Sequence, residues 1–351
     1  MWKRRGKLKL WFGLMGLLAG LAMGQGVRAA TKSGRVIPTN DTGYSVVVKL
    51  PSQQIESKKA LFDLRLVAGQ SQTLQAVIYN STDYDMKIAM AIRTANTTAS
   101  GRIGYMKSAQ PAEPTLRYRL TDLAKLAGPK MVIVPANSQK LVTARIVLPQ
   151  TDFQGVILGA WCFKPVNADG TTPQKKARGK RSEVRLKLTV GQVPTPNVKL
   201  LNVKAGSYHS HQAVYPVLEN STATIISHLT VQTTITAKKS GKVVKRWRQS
   251  SVTLAPNSTF SPAIILRKAG LKPGDYQLKM RLHNRDHRWV VQRDFKLDAT
   301  TAEKVNADAI KRSGIGGHWL VLFAMAVVFI VGWLVMVWRK HRRNPSRDKQ
   351  G

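Results

Sequence analysis

His209 and His211 are two residues apart, so a strand would carry both on one face, the beginning of a metal site. A zinc centre needs at least three protein ligands. No carboxylate or third histidine stands at a suitable spacing, so neither a metal nor a cofactor is expected. Asp83 and Asp85 could share acid–base work. They sit in "NSTDYDM", which has the composition of a turn, and they read better as turn caps and solvated residues. Cys162 is the only cysteine, which rules out an intramolecular disulfide. Within the apolar run "GVILGAWCF" it reads as a small buried residue rather than a nucleophile. There is no Gly-x-Ser-x-Gly elbow, Gly-rich phosphate loop or His-Glu-x-x-His. No residue is assigned a catalytic role, and the chain does not read as an enzyme.

Charge offers a different chemistry. The 351 residues carry 56 basic and 18 acidic side chains, a formal charge of +38. Six of the basic residues lie in 1–29 and six, with one acid, in 319–351, leaving +27 for the segment between. Such a field favours polyanions and is weakened by salt. The densest run is "KKSGKVVKRWRQ", where Lys238, Lys239, Lys242, Lys245, Arg246 and Arg248 surround Trp247. It reads two ways, as a solvated charged face or as a contact for a partner or polyanion, where an amphipathic aromatic beside cations suits an interface. Polyanions outside a cell include teichoic acids, anionic lipid headgroups and acidic proteins. No nucleic-acid motif is present, and no nucleic-acid partner is expected.

The elements that must position these residues alternate with period two. Val184, Leu186, Leu188 and Val190 share one face of "EVRLKLTV"; Met86, Ile88, Met90 and Ile92 share one of "MKIAMAI"; Tyr276, Leu278, Met280 and Leu282 share one of "DYQLKMRL". Turn residues at Ala68-Gly69, Asn80-Ser81-Thr82, Pro135-Ala136-Asn137, Pro256-Asn257-Ser258 and Pro273-Gly274 separate such runs. The pattern predicts an all-β region of two immunoglobulin-like β-sandwiches. "GQVPTPNVKL" is the boundary, its prolines stopping a strand and stiffening a linker, which gives domains at 41–192 and 195–298. The halves echo each other: "VIYNSTDYDMKIAMAI" with "PVLENSTATIISHLTV", and "VIVPANSQKLVTARIVL" with "VTLAPNSTFSPAIILR". The echo fits either an internal repeat or shared turn chemistry. The first half holds about 20 extra residues between its matching hairpins, within Arg93 to Lys130, and insertions on a sandwich are where binding is often built. "ADGTTPQKKARGKRSE" reads as a polar loop between strands.

The ends carry targeting signals. Residues 1–29 combine a basic start, an apolar run from Leu10 to Met23 and Val27-Arg28-Ala29, a signal peptide cleaved after Ala29. Trp319 to Trp338, "WLVLFAMAVVFIVGWLVMVW", is uncharged and apolar; at about 1.5 Å per residue it spans a bilayer core. A basic tail at 339–351 follows, cytoplasmic by the positive-inside rule, and 299–318 is a stalk. The expected localisation is the cell membrane, with a single-pass α-helix, the ectodomain outside and the C-terminus cytoplasmic.

Several stretches together resemble the WxL-interacting protein family of Gram-positive bacteria. In the first half they are "LPSQQ", "LFDLRLVAGQSQTLQAVIYNST", "ANTTASGRIGY", "VPANS" and "LPQTDFQGVILGAWCF"; in the second, "NVKAGSYHSHQAVYPVLENSTATIISHLTV", "LAPNSTF" and "LKPGDYQLKM". They cover about 45–298 in order. None of the eight tryptophans begins a Trp-x-Leu, so the chain resembles the interacting partner rather than a WxL protein. The resemblance implies a membrane-anchored, non-catalytic adaptor within the cell wall. Its first domain would bind peptidoglycan, through residues left unassigned; teichoic acid is a further partner suggested by the basic charge alone. Its second would bind WxL proteins or host extracellular-matrix proteins. A regulator or enzyme acting on cell-wall polymers is the alternative.

Overall fold

Alternating apolar and polar residues give most of the described strands one face to hide, and in each half two sheets meet around a core. The computed structural model describes residues 35–37, 43–55, 61–105, 114–167, 181–209, 211–266, 271–299 and 318–342, with side chains from 43 onward and over 325–339 in the last segment. The expected signal peptide, most of the 168–183 polar loop, nearly all of the stalk and most of the basic tail lie outside these residues.

The first half contains β1 (Arg35–Ile37), β2 (Tyr44–Lys49), β3 (Phe62–Leu66), β4 (Ser71–Asn80), β5 (Met86–Thr94), β6 (Asn96–Thr97) and β7 (Ile103–Gly104). After a single helical turn, α1 (Leu120–Leu123), come β8 (Ala124–Leu126), β9 (Met131–Val134), β10 (Gln139–Val147), β11 (Gly155–Val166) and β12 (Ser182–Val190). One sheet runs β1-β2-β4-β10-β8 and the other β3-β12-β11-β5-β9; within the second, β3 pairs β12 in parallel. Val46, Leu74, Ile78 and Ile146 from one sheet meet Leu64, Ile88, Trp161, Phe163 and Leu186 from the other in one core. Each fully hidden aliphatic or aromatic side chain contributes about 1.5–3 kcal/mol.

The second half contains β13 (Val198–Tyr208), β14 (His211–Asn220), β15 (Ile226–Ala237), β16 (Val243–Leu254), β17 (Ser258–Phe260), β18 (Ile264–Ile265), β19 (Gly274–His283) and β20 (Arg288–Leu297). β13-β14-β17 form one sheet, with β18 also on β14, and β16-β15-β19-β20 form the other. Their inner faces share a second core, with Val214, Leu218, Phe260 and Ile264 against Leu229, Val231, Leu278 and Met280. Residues 191–197 carry no strand between the two halves. The helix α2 (His318–Arg342) closes the described chain; among the described residues no helix is long and apolar enough to cross a membrane, and the side chains of α2 are described only over 325–339.

The echo between the halves has an atomic basis. Asn80 is buried, and its Nδ2 donates to the carbonyls of Tyr84 at 2.8 Å, Val134 at 3.1 Å and Pro135 at 2.9 Å, while its Oδ1 accepts from the N–H and hydroxyl of Thr82. Asn220 does the same: Nδ2 donates to Thr224 at 2.7 Å and Ala255 at 2.9 Å, and Oδ1 accepts from the N–H and hydroxyl of Thr222. The second turn of each pair matches too. Asn137 and Asn257 both hold φ of 47°, and their N–H groups donate to the carbonyls of Thr82 and Thr222. Asparagine tolerates that left-handed backbone. Ser138 and Ser258 each bond the carbonyl three residues earlier.

The extra residues of the first half have a clear use. β6 and β7 form a small hairpin between β5 and α1, and this hairpin meets the second half. Thr97 Oγ1 lies 2.6 Å from Ser258 Oγ and accepts from the Ala255 N–H; Thr253 N–H donates to the Gly101 carbonyl at 2.8 Å; Gln249 Nε2 donates to the Ser100 carbonyl at 2.7 Å. Beside them, Val156 N–H donates to the Ala223 carbonyl at 2.7 Å. Gly155, just before it, has φ of 124°, and a Cβ there would sit 2.5 Å from that carbonyl, so the close approach requires glycine. Both halves fall within one unit, residues 34–351.

Replacing Asn80 by alanine removes three carbonyl contacts, the one to Val134 in a buried position. Asn80→Ala is therefore expected to cost about 2–4 kcal/mol in urea unfolding, and Asn220→Ala a similar amount. A loss below about 1 kcal/mol for both would show that the amides do not hold the turns.

Candidate binding surfaces

The basic run at 238–248 divides when it folds. Lys238, Lys239 and Lys242 are exposed at the β15–β16 turn. Lys238 Nζ donates to Asp294 Oδ2 at 2.6 Å. That bond raises the lysine's pKa and lowers the aspartate's, though full exposure leaves the pair little to contribute. On β16, Lys245 pairs across to Ile235 and Trp247 to Thr233, so both stand on the core side, Trp247 half-buried against the second core. Arg246 and Arg248 point the other way and are exposed. The fold thus separates the indole from the two arginines that flank it in sequence.

Two cations that the run does not contain join those arginines. Lys279 and Arg281 on β19 occupy the same outer face, because Tyr276, Leu278, Met280 and Leu282 take the inner one. The alternation in "DYQLKMRL" carries this: the residues between its apolar positions are Gln277, Lys279 and Arg281.

A groove of about 760 Å³ opens on the first half where β5, β8 and β11 meet. Small side chains, Ala89, Ala91 and Cys162, lie along it, and the cations Arg93, Lys125, Lys130 and Lys164 stand around them. Ala91 and Cys162 are cross-strand partners, as are Ala89 and Lys164. Lys125 Nζ donates to the Thr121 carbonyl at 2.7 Å, which fixes its stem along the rim. A small-residue floor admits a flat sugar or peptide, and the cations suit its carboxylates. A second groove of similar volume lies where the halves meet, lined by Tyr105, Val156 and Leu158 from the first and Ile225 and Thr253 from the second.

The two histidines and the Asp83–Asp85 pair lie away from these grooves, whereas Cys162 belongs to the lining of the first. His209 stacks edge-on against Tyr208 at the tip of the β13–β14 hairpin, and His211 pairs across from Tyr208. Among the described residues no three His, Cys, Asp or Glu side chains gather to hold a metal. Asp85 Oδ1 accepts from the Ala136 N–H, joining two turns, and Asp83 is exposed in the first of them. Cys162 is buried in a small apolar cluster with Tyr105, Ala95, Val156, Leu158, Ala160 and Ala255, the last from the second half. Burial, aided by the charge of Glu183, pushes its thiol from 9.0 to about 11, and burial pushes the Tyr105 phenol from 10.0 to about 12.

Two family models match the chain: WxL Interacting Protein, peptidoglycan binding domain, over 44–165, and WxL Interacting Protein, host binding domain, over 182–307. No curated protein matches it. Among solved structures it is similar to the CsuC–CsuE chaperone–tip subunit complex of Acinetobacter baumannii at 9% identity, covering 65% of this chain and 93% of that one, with a TM-score of 0.31. It is also similar to the CupB2 chaperone of Pseudomonas aeruginosa, at 15% identity, 66% and 97% coverage and a TM-score of 0.26. The E. coli chaperone DraB aligns at 16% identity, 68% and 94% coverage and a TM-score of 0.24. Superpositions this loose carry no weight for fold or function.

The cluster at the meeting of the halves should be alkali-sensitive. Both shifted groups hold their protons more tightly folded than unfolded, so their contribution is complete below pH 9.0 and is lost as pH rises through about 11 for Cys162 and about 12 for Tyr105. Melting temperature should be level up to that point and then fall, and Cys162→Ala should remove the earlier part of the fall. Level melting to the top of the range would contradict the burial of both groups.

Proposed function

The chain belongs to the WxL-interacting protein family, and on that footing we propose that it is a membrane-anchored adaptor at the cell surface, holding peptidoglycan with its first domain and a WxL protein or host extracellular-matrix protein with its second. One observation carries this reading. The two matched spans, 44–165 and 182–307, lie in that order over the two hydrophobic cores. A domain division at 41–192 and 195–298 fits the same cores, and the two-layer, mainly antiparallel build of each supports an immunoglobulin-like description.

Within the first domain we assign the wall contact to the groove at Arg93 and Lys130. Its small floor and basic rim suit a glycan strand with peptide carboxylates better than the charged sheet faces do. The family is one of binding domains, and the role is adhesive rather than catalytic. The anchor is α2. Its side chains from 325 to 338 are apolar and exposed, Phe329 at 79% and Trp333 at 64%, and a continuous apolar surface of that kind is covered by lipid. The cations Arg339, Lys340 and Arg342 at its C-terminal end support a cytoplasmic position for that end by the positive-inside rule.

The test uses the whole protein and insoluble peptidoglycan stripped of other polymers. The protein should pellet with it, and Arg93→Gln with Lys130→Gln should reduce the bound fraction by about tenfold. Unchanged pelleting by that double variant removes the groove from the reading. No pelleting by the parent removes the peptidoglycan function. Release of soluble sugar or peptide would replace the adaptor with an enzyme.

A further inference from the structure

The outer face of the β16-β15-β19-β20 sheet is ordered in its charge. Arg248 on β16 faces Gln232 on β15, which faces Arg281 on β19; one rung along, Arg246 faces Thr234, which faces Lys279. With strands about 4.8 Å apart and about 3.4 Å per residue, the four cations mark a rectangle of about 10 by 7 Å. Among the described residues none of the four has a carboxylate partner. The acids that share this face, Asp275 and Asp294, lie at its turn end, and Asp294 is already bonded to Lys238. Four like charges gathered on one face, none with a carboxylate partner among the described residues, add no ion pair to the fold.

We propose that this face binds a linear polyol-phosphate polymer of the cell wall, by seating successive phosphates on Arg246, Arg248, Lys279 and Arg281. Guanidinium groups fork onto phosphate oxygens, and successive phosphates in such a polymer are only a few bonds apart, so neighbours along it fall on neighbouring cations. Between the cations stand a hydroxyl and an amide, Thr234 and Gln232, suited to the polymer's own hydroxyls. A protein partner would need an apolar anchor at the centre of the contact, and the face has none. Its large apolar side chains, Val244 and Val290, stand on the two edge strands. The face lies on the second domain, away from the groove assigned to peptidoglycan, and the inference does not depend on that assignment.

The full chain in a zwitterionic detergent is titrated with purified poly(glycerol phosphate), free of peptidoglycan. Binding should be clear at about 0.05 M salt and largely lost at about 0.5 M. Arg246→Gln with Arg281→Gln should weaken it by about tenfold or more, while Lys239→Gln with Lys242→Gln, which removes the same charge from the turn, should change it by less than about threefold. Arg246→Lys with Arg281→Lys keeps the charge and should fall between, since it loses the fork. All these side chains are solvent-facing, and each variant is compared at equal melting temperature. Equal losses in the two glutamine pairs would overturn the proposal in favour of net charge alone. Equal or tighter binding of polyglutamate, or of phosphatidylglycerol vesicles, would overturn it in favour of an acidic protein or a lipid surface.

Discussion

A carboxamide sealed away from water at the end of each sandwich governs the rest. Asn80 and Asn220 reach across from one strand to the carbonyls of a different turn, and both ends of each amide are used. An amide in that position does what a backbone ladder cannot, because the groups it joins belong to neighbouring turns rather than neighbouring strands. Each amide also stands within the paired strands on either side. Tyr44 pairs with Asn80 at one edge, and Val198 pairs with Asn220 at the other. With register set, every alternating strand has only one way to hide its apolar face.

On that shared frame the halves diverge by what is hung between the turns. The first half carries β6, β7, α1 and β8 there, and these make both the bonds to the second half and part of the basic groove. The second half has only a tight turn at the same place, leaving the outer face of its sheet open. Charge follows the same division. In the first domain the cations rim a concavity; in the second they lie flat across two rungs.

Much of this could be read before any coordinates. Val184, Leu186 and Leu188, and Leu278 and Met280, are fully buried as their alternation required, and the Asn-Ser-Thr turns announced themselves by composition. Cys162 was legible as a buried residue for the same reason. What stayed hidden depends on pairing between distant strands. The sequence places Trp247 among cations, yet strand geometry turns it inward and its neighbours outward. Lys279 and Arg281 lie some thirty residues from Arg246 and Arg248, and only the register through β15 brings them together. The insertion falls between β5 and β9, where the length difference puts it, and its hairpin bonds the chain's own second half. No local pattern distinguishes a loop that binds a stranger from one that binds its own chain.

That last feature has a consequence for how such a molecule is inherited. Two linked domains are ordinarily exchangeable parts, free to be cut apart, reordered or fused to others. Here the hairpin of one completes the hydrogen bonding of the other, at Thr97, Gly101 and Ala255. A recombination event at the proline linker would leave each product with exposed, unpaired backbone. Selection therefore sees one object, and a change that refines either contact surface must keep faith with a partner it never touches.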